Sequence, residues 1–304
     1  MLQAMIDIGS NTIRMAVYEI KNGHAAQVMK RKHTVGLSAY VRDGVMQEEG
    51  IRRAAEVVAE YRDFLAGMGV ENTVAFTTAA LRNAKNSAEA VAAVEERSGL
   101  SIRVISGEEE AVFDFAGAIH DLAADDGVIL DIGGGSTEIV LYRARHVVHK
   151  WSLPFGSLAL KVAYVKDLLP TPEEAKAIRE DVSEAVHIIC SDLSLPEDGV
   201  CACGIGGTFK GTCALYRLMF GLKEDETRMD PKRFGEILSH YVTHHPPKEE
   251  DAVRLMLATP DRIHTLLPGL ILADVLTEAL RCAEVIYSDS GVREGYLYSE
   301  ILRA

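Results

Sequence analysis

Asp7-Ile-Gly-Ser-Asn-Thr-Ile-Arg-Met-Ala-Val17 returns later in the chain as Asp131-Ile-Gly-Gly-Gly-Ser-Thr-Glu-Ile-Val-Leu141. In each copy a short apolar run reaches an Asp, passes through a glycine turn and resumes as a second run rich in β-branched residues. That pattern spells a strand, a tight turn and a strand. The first copy gives strands from Met5 to Ile8 and from Ile13 to Ile20, the second from Val128 to Ile132 and from Thr137 to Tyr142. Two like hairpins imply two like domains.

Working outward, helical patterns at Glu48 to Met68, Ser87 to Ser98 and Glu108 to Leu122 alternate with strands at Thr73 to Thr77 and Ile102 to Ile105. Such alternation is the signature of an α/β fold. Beyond the second hairpin the helices lengthen, at Pro172 to Ser191, Phe209 to Phe220, Pro231 to His244 and Gly269 to Cys282. The domains are expected at 1–120 and 121–291, with the boundary between Gly117 and Asp126. A last helix from Arg293 to Leu302, within 292–304, is free to pack back onto the N-terminal domain or its neighbour.

The length of 304 residues suits two domains that each bury a core. With 48% hydrophobic and 25% charged residues, neither a disordered nor a fibrous chain is indicated. The formal net charge of −13 argues against nucleic acid or an anionic membrane as an electrostatic partner. Local binding of a polyanion is still open to an acidic protein, through divalent cations and backbone amides. Five cysteines without a secretory signal make a disulfide framework unlikely to be the organising principle, and the cytoplasm is the expected location.

The glycine turns carry the chemical suggestion. Amides converge on a phosphate only where side chains leave them bare. Gly133, Gly134 and Gly135 do this in the second hairpin, with Ser136 and Thr137 adding hydroxyls, and Gly9, Ser10 and Asn11 fill the same role in the first. One such hairpin is explained by a tight turn alone. Two copies, each preceded by an Asp, favour a phosphate clamp between two domains. Asp7 and Asp131, at the carboxyl ends of their strands, are natural holders of Mg²⁺ or its water shell. A third cluster, Gly204-Ile-Gly-Gly-Thr208, opens a helix, so Gly206, Gly207 and Thr208 either direct a helix N-terminus at an anion or simply permit a close strand-helix contact.

Hydrolysis needs a group that activates water, and acidic side chains near the clamp are the candidates. Glu138 follows the second turn, and Ser106-Gly-Glu-Glu-Glu-Ala111 begins a helix. Capping and dipole complementarity explain one or two of those three glutamates, but need not explain all of them. Arg82 follows a strand, where a guanidinium could brace a phosphate; Arg14, Lys210 and Arg262 are weaker candidates of the same kind. His240 and His244 have metal-like spacing without an obvious third ligand, and Cys201 and Cys203 read as a small apolar pair on one strand face.

Taken in order, Asp7-Ile-Gly-Ser-Asn-Thr, Thr78-Ala-Ala-Leu-Arg82, Ile105-Ser-Gly-Glu-Glu-Glu-Ala111, Asp131-Ile-Gly-Gly-Gly-Ser-Thr-Glu138, Leu267-Pro-Gly-Leu270 and Ser288-Asp-Ser-Gly-Val-Arg-Glu-Gly295 resemble the exopolyphosphatase and guanosine pentaphosphate phosphatase family. The resemblance spans the chain and implies two ribonuclease-H-like domains of the actin-like superfamily with an interdomain cleft. It implies a phosphohydrolase dependent on Mg²⁺ (or Mn²⁺), acting on inorganic polyphosphate or guanosine pentaphosphate, with a homodimer as one possible assembly. By the same resemblance Glu110 matches the family's catalytic base, Asp131 and Glu138 its acidic cluster, Gly133 to Thr137 its second phosphate loop, Arg82 a phosphate contact and Arg262 a residue near the domain interface. The run Ala111-Val112-Phe113 departs from the family's frequent Ala-Arg-Leu, and the length matches the short, two-domain form. An ATP-using actin-like kinase and a non-catalytic polyphosphate or alarmone sensor are the rival readings.

Overall fold

The computed structural model describes residues 1–120, 122–190, 193, 195–196, 199–243 and 246–302. Packing divides the chain into two units, Met1–Glu110 with Leu297–Ala304, and Ala111–Tyr296.

The first unit opens with an antiparallel meander, β1 (Leu2–Ile8), β2 (Thr12–Lys21) and β3 (His24–Thr34). A small hairpin follows, β4 (Val41–Arg42) with β5 (Val45–Met46), and then α1 (Glu48–Gly67). Next come β6 (Asn72–Thr77), α2 (Ala79–Arg82), α3 (Ser87–Ser98) and β7 (Ile102–Val104). The sheet order is β3-β2-β1-β6-β7, with β6 parallel to β1 and β7 parallel to β6.

Strand alternation turns Ala4, Ile6 and Ile8 toward one face, where Ile13, Met15 and Val17 join them. On α1, Ile51, Ala54, Ala55, Val58, Tyr61 and Leu65 recur at helical spacing and fill the same core. Burying a side chain such as Val58 or Leu65 there contributes ~1.5–3 kcal/mol. α3 stops at Gly99, whose φ of 72° suits glycine and whose N–H bonds Glu95 O at 2.8 Å.

α4 (Gly107–Ala118) runs through the division between the units. The second unit then repeats the meander with β8 (Gly127–Ile132), β9 (Thr137–Arg143) and β10 (His146–Leu153). After α5 (Ser157–Tyr164) and α6 (Pro172–Cys190) come β11 (Val200–Ile205), α7 (Gly206–Phe220), β12 (Arg228–Met229), α8 (Phe234–Thr243), α9 (Glu249–Ala258), α10 (Ile263–Ala279), β13 (Cys282–Tyr287) and α11 (Val292–Tyr296). Its sheet order is β10-β9-β8-β11-β13-β12. Leaving out the short edge strand β12, which is antiparallel to β13, both units order their strands third, second, first, fourth, fifth, with the last two parallel to the first. That is the ribonuclease-H-like order, and the expected α/β class holds twice over.

α10 is the pillar of the second core. Leu266, Leu267, Leu270, Ile271, Leu272, Val275 and Leu276 are buried around nearly its whole circumference. Two sequence expectations need correction here. The helix expected at Gly269 to Cys282 covers Ile263–Ala279 instead, running through Leu267-Pro-Gly-Leu270, with Cys282 opening β13. Pro268 forgoes one helical hydrogen bond, a cost that burial on all sides offsets, and Gly269 lets α10 approach α7 and α5. A Cβ on Gly269 would lie 2.6 Å from Thr208 Cγ2 and 2.9 Å from Ser157 Cβ. The stretch expected as one helix from Pro231 splits into a 3₁₀ turn, Pro231–Arg233, and α8; His244 lies outside the described residues, as do Ser191 and Asp121. Among the described residues no helix is long and apolar enough to cross a membrane.

Candidate functional site

The first unit offers one set of residues. Asp7 stands one residue before the end of β1, buried, and is paired in register with Arg14 on β2. Arg14 Nε lies 3.9 Å from Asp7 Oδ2 and donates to Thr12 Oγ1 at 3.1 Å. The turn between these strands closes with Gly9 N donating to Thr12 O at 3.1 Å. From outside it is tied to the segment after β3: Asn11 O accepts from Val35 N and Gly36 N at 3.0 and 2.9 Å, and Ser10 O accepts from Ser38 N at 3.1 Å. Asn11 is 4% exposed, and among the described residues neither its side-chain nitrogen nor its side-chain oxygen has a hydrogen-bond partner. A buried amide left without partners costs about 1–3 kcal/mol per group.

The three consecutive glutamates separate by role. Glu108 is exposed. Glu109 forms a capping box with Ser106: Ser106 N donates to Glu109 Oε2 at 2.9 Å and Glu109 N to Ser106 Oγ at 3.1 Å. The backbone bond from Ser106, then the side-chain bonds of Arg103 and Ser106, hold the Glu109 carboxyl below its ordinary value despite the opposing effect of partial burial. Glu110 is buried at 6% exposure, and its Oε2 accepts from Arg82 Nη1 at 2.5 Å. Arg82 also donates to Ile105 O at 3.1 Å and to Asn83 Oδ1 at 3.1 Å, so its guanidinium joins the end of α2 to the start of α4.

The second unit repeats the hairpin with different charges. Asp131 on β8 is in register with Glu138 on β9, the position that Arg14 occupies in the first copy, and Glu138 is in register with Ser152 on β10. Glu138 is 1% exposed and its Oε1 accepts from Ser152 Oγ at 2.8 Å. The turn again closes by its glycine, Gly133 N to Ser136 O at 3.0 Å.

This second loop is braced by the start of α5. Ser157 N and Oγ donate to Gly133 O at 2.9 and 3.1 Å, while Leu158 N and Ala159 N donate to Gly134 O at 3.0 and 2.9 Å. Thr137 Oγ1 donates to Phe155 O at 2.7 Å and Thr208 Oγ1 to Ile132 O at 2.8 Å. Both hydroxyl protons thus go to the frame around the loop.

The third glycine cluster meets a steric demand on each side. Gly206 has φ of 81°, and a Cβ there would lie 2.3 Å from Asp131 Oδ1. A Cβ on Gly207 would lie 1.8 Å from Arg262 Nη1, so the Arg262 guanidinium rests against this helix start. Lys210, one turn on, pairs with Asp289 at 3.0 Å on the surface. Two adjacent carboxylates, with glycine clearing the space beside one of them, fit a hard divalent cation that takes its other ligands from water and substrate. Among the described residues no group of three or more His, Cys, Asp or Glu side chains surrounds a metal position. His240 instead lies 2.9 Å from Asp251, and Cys201 and Cys203 stand on β11, Cys203 buried.

The succession of loops, capped glutamates and acidic pair follows the motif order along the chain, and the Ppx/GppA phosphatase family matches residues 16–304. The chain belongs to that family. A putative exopolyphosphatase of Haemophilus influenzae is 25% identical over 307 aligned residues, covering 97% of this chain and 90% of its own length. Among solved structures, a Ppx/GppA family member of Aquifex aeolicus shares 27% identity with a TM-score of 0.76, covering 100% of this chain and 98% of that one. An exopolyphosphatase of Cytophaga hutchinsonii shares the fold, with a TM-score of 0.83 at 20% identity over 100% of this chain and 98% of that one.

Sequence reasoning missed the partners that hold the family's motif residues in place. Ser152 sits on an exposed strand that no alternation reveals, and its link to Glu138 depends on register. Gly156 matters because a Cβ there would come within 2.4 Å of Gly134 C and Gly135 N, a backbone approach with no side-chain signal.

Proposed function

We propose that this protein is a phosphohydrolase that releases the terminal phosphate of inorganic polyphosphate or of guanosine pentaphosphate. The observation that carries the reading is the fate of the glutamate run. Glu109 is consumed by helix capping, whereas Glu110, the residue matching the family's base, is buried and held by Arg82.

In this reading Glu110 accepts a proton from the attacking water as its oxygen bonds to the terminal phosphorus, and the phosphoanhydride bond breaks with the shortened chain as leaving group. Gly9 N and Gly133 N close their turns, so in each glycine loop the other amides are the ones that would bind phosphate oxygens. Asp131 and Glu138 would hold Mg²⁺ or Mn²⁺, which supplies positive charge to the phosphoryl oxygens when bound. Asp7 already faces the Arg14 guanidinium and is the weaker holder. Arg82 orients the Glu110 carboxylate.

The test is phosphate release by the purified protein with Mg²⁺, measured in parallel on short polyphosphate, long polyphosphate, guanosine pentaphosphate and ATP. Release from polyphosphate or the pentaphosphate supports the reading and names the substrate. Release from ATP alone, or from none of the four, overturns it.

A further inference from the structure

The two hairpins place different chemistry at equivalent positions. In the first, the row across the sheet reads Asp7, Arg14, Lys32, so the buried carboxylate has a guanidinium beside it. In the second the row reads Asp131, Glu138, Ser152, two carboxylates followed by a neutral hydroxyl. A carboxylate as deeply buried as Glu138 needs hydrogen-bond donors. A serine hydroxyl donates without cancelling the charge, which an Arg or Lys at that place would do. It therefore restricts the torsions of Glu138 without placing a cation at that position of the row.

We propose that Ser152 is a positioning residue for divalent-cation binding: its hydroxyl, 2.8 Å from Glu138 Oε1, fixes the Glu138 carboxylate beside Asp131 as a preformed pair. Ser152 lies on the exposed edge strand β10, so its removal does not open the core. The activity consequence rests on the phosphohydrolase reading; the binding consequence does not.

The experiment compares wild type, Ser152→Ala and Ser152→Thr by two readouts. Electron paramagnetic resonance of Mn²⁺ measures binding directly, and phosphate release is titrated against Mg²⁺ at saturating substrate. Ser152→Ala is expected to weaken Mn²⁺ binding by about tenfold, the usual effect of losing an outer hydrogen bond to a metal-binding group. It should raise the Mg²⁺ concentration for half-maximal release by a similar factor while KM for the phosphate substrate changes little. Ser152→Thr, which keeps the hydroxyl, should restore both. Unchanged Mn²⁺ binding in a folded Ser152→Ala protein overturns the proposal, as does a Thr variant as weak as the Ala variant or a wild-type protein that binds no Mn²⁺. Mn²⁺ binding that depends on Ser152, in a protein that releases no phosphate, leaves the proposal standing and removes the phosphohydrolase reading.

Discussion

Arg82 Nη1 donates to Glu110 Oε2 at 2.5 Å, and the two side chains are only 13% and 8% exposed. Removing one member of a pair this dry leaves the other's charge buried without its partner. Arg82→Ala is expected to cost about 3 kcal/mol of stability. It should also lower phosphate release by roughly 100-fold, because the base loses the group that orients it. Denaturant unfolding and steady-state release measure the two effects, and Arg82→Lys should recover stability better than turnover, since an ammonium lacks the planar fork.

Glu109 and Glu110 are neighbours with separable duties. Glu109→Ala removes one half of the capping box and should cost ~1 kcal/mol of stability with turnover close to wild type. Ser106→Ala should behave alike. Thermal unfolding and release assays on the two variants check this, and a collapse of turnover in folded Glu109→Ala would mean that the chemistry belongs to the wrong member of the run.

Gly156→Ala tests the bracing of the second loop. The added Cβ would meet the backbone of Gly134 and Gly135 at 2.4 Å, and neither atom can swing away as a side-chain tip would. The overlap should cost ~1–3 kcal/mol and displace the loop, so phosphate release should fall with the melting temperature. Gly207→Ala makes a useful contrast, since its Cβ meets the movable end of Arg262; stability should fall less there.

Much of the fold could be read from residues because the hairpins are locally self-consistent: apolar strand, Asp, glycine turn, apolar strand. The third strand of each meander could not. His24–Thr34 and His146–Leu153 lie at sheet edges, exposed on most positions and rich in Lys, Arg and His, so neither the period of two nor β-branched enrichment marks them. The start of α10 is hidden for a different reason: helix propensity disfavours an internal proline, so the helix is expected only from Gly269, while tertiary burial carries it through Pro268 from Ile263. At the site, sequence singled out Glu110, Asp131 and Glu138 by motif, but the division of labour between Glu109 and Glu110 needed hydrogen bonds. Ser152 and Gly156 needed register and backbone proximity, which no single stretch of sequence encodes.

Asp251 links α8 and α9 and makes a pH test of the second core. The side chain is buried; its Oδ2 lies 2.9 Å from His240 Nε2 and its Oδ1 accepts from Arg254 Nη1 at 2.7 Å. Burial would push this carboxyl up, but the bonds and charges of His240 and Arg254 outweigh it and hold the carboxyl below its ordinary value. A folded value below the unfolded one contributes stability that is present above the unfolded pKa and lost as pH falls through the folded value. Asp251→Asn is therefore expected to be less stable than wild type by about 2 kcal/mol at neutral pH. The gap should close as the pH drops below about 4. Urea unfolding at several pH values checks this, and a gap that widens toward acid would contradict it.

The most direct test of the central claim is phosphate release by Glu110→Gln beside wild type, with calorimetric binding of the same substrate to each. The carboxamide keeps the size of the side chain and cannot take the proton from water. Release is expected to fall by at least ~100-fold while substrate affinity stays within several-fold of wild type. A folded Glu110→Gln protein that releases phosphate within about twofold of the wild-type rate would contradict the assignment of Glu110 as the base.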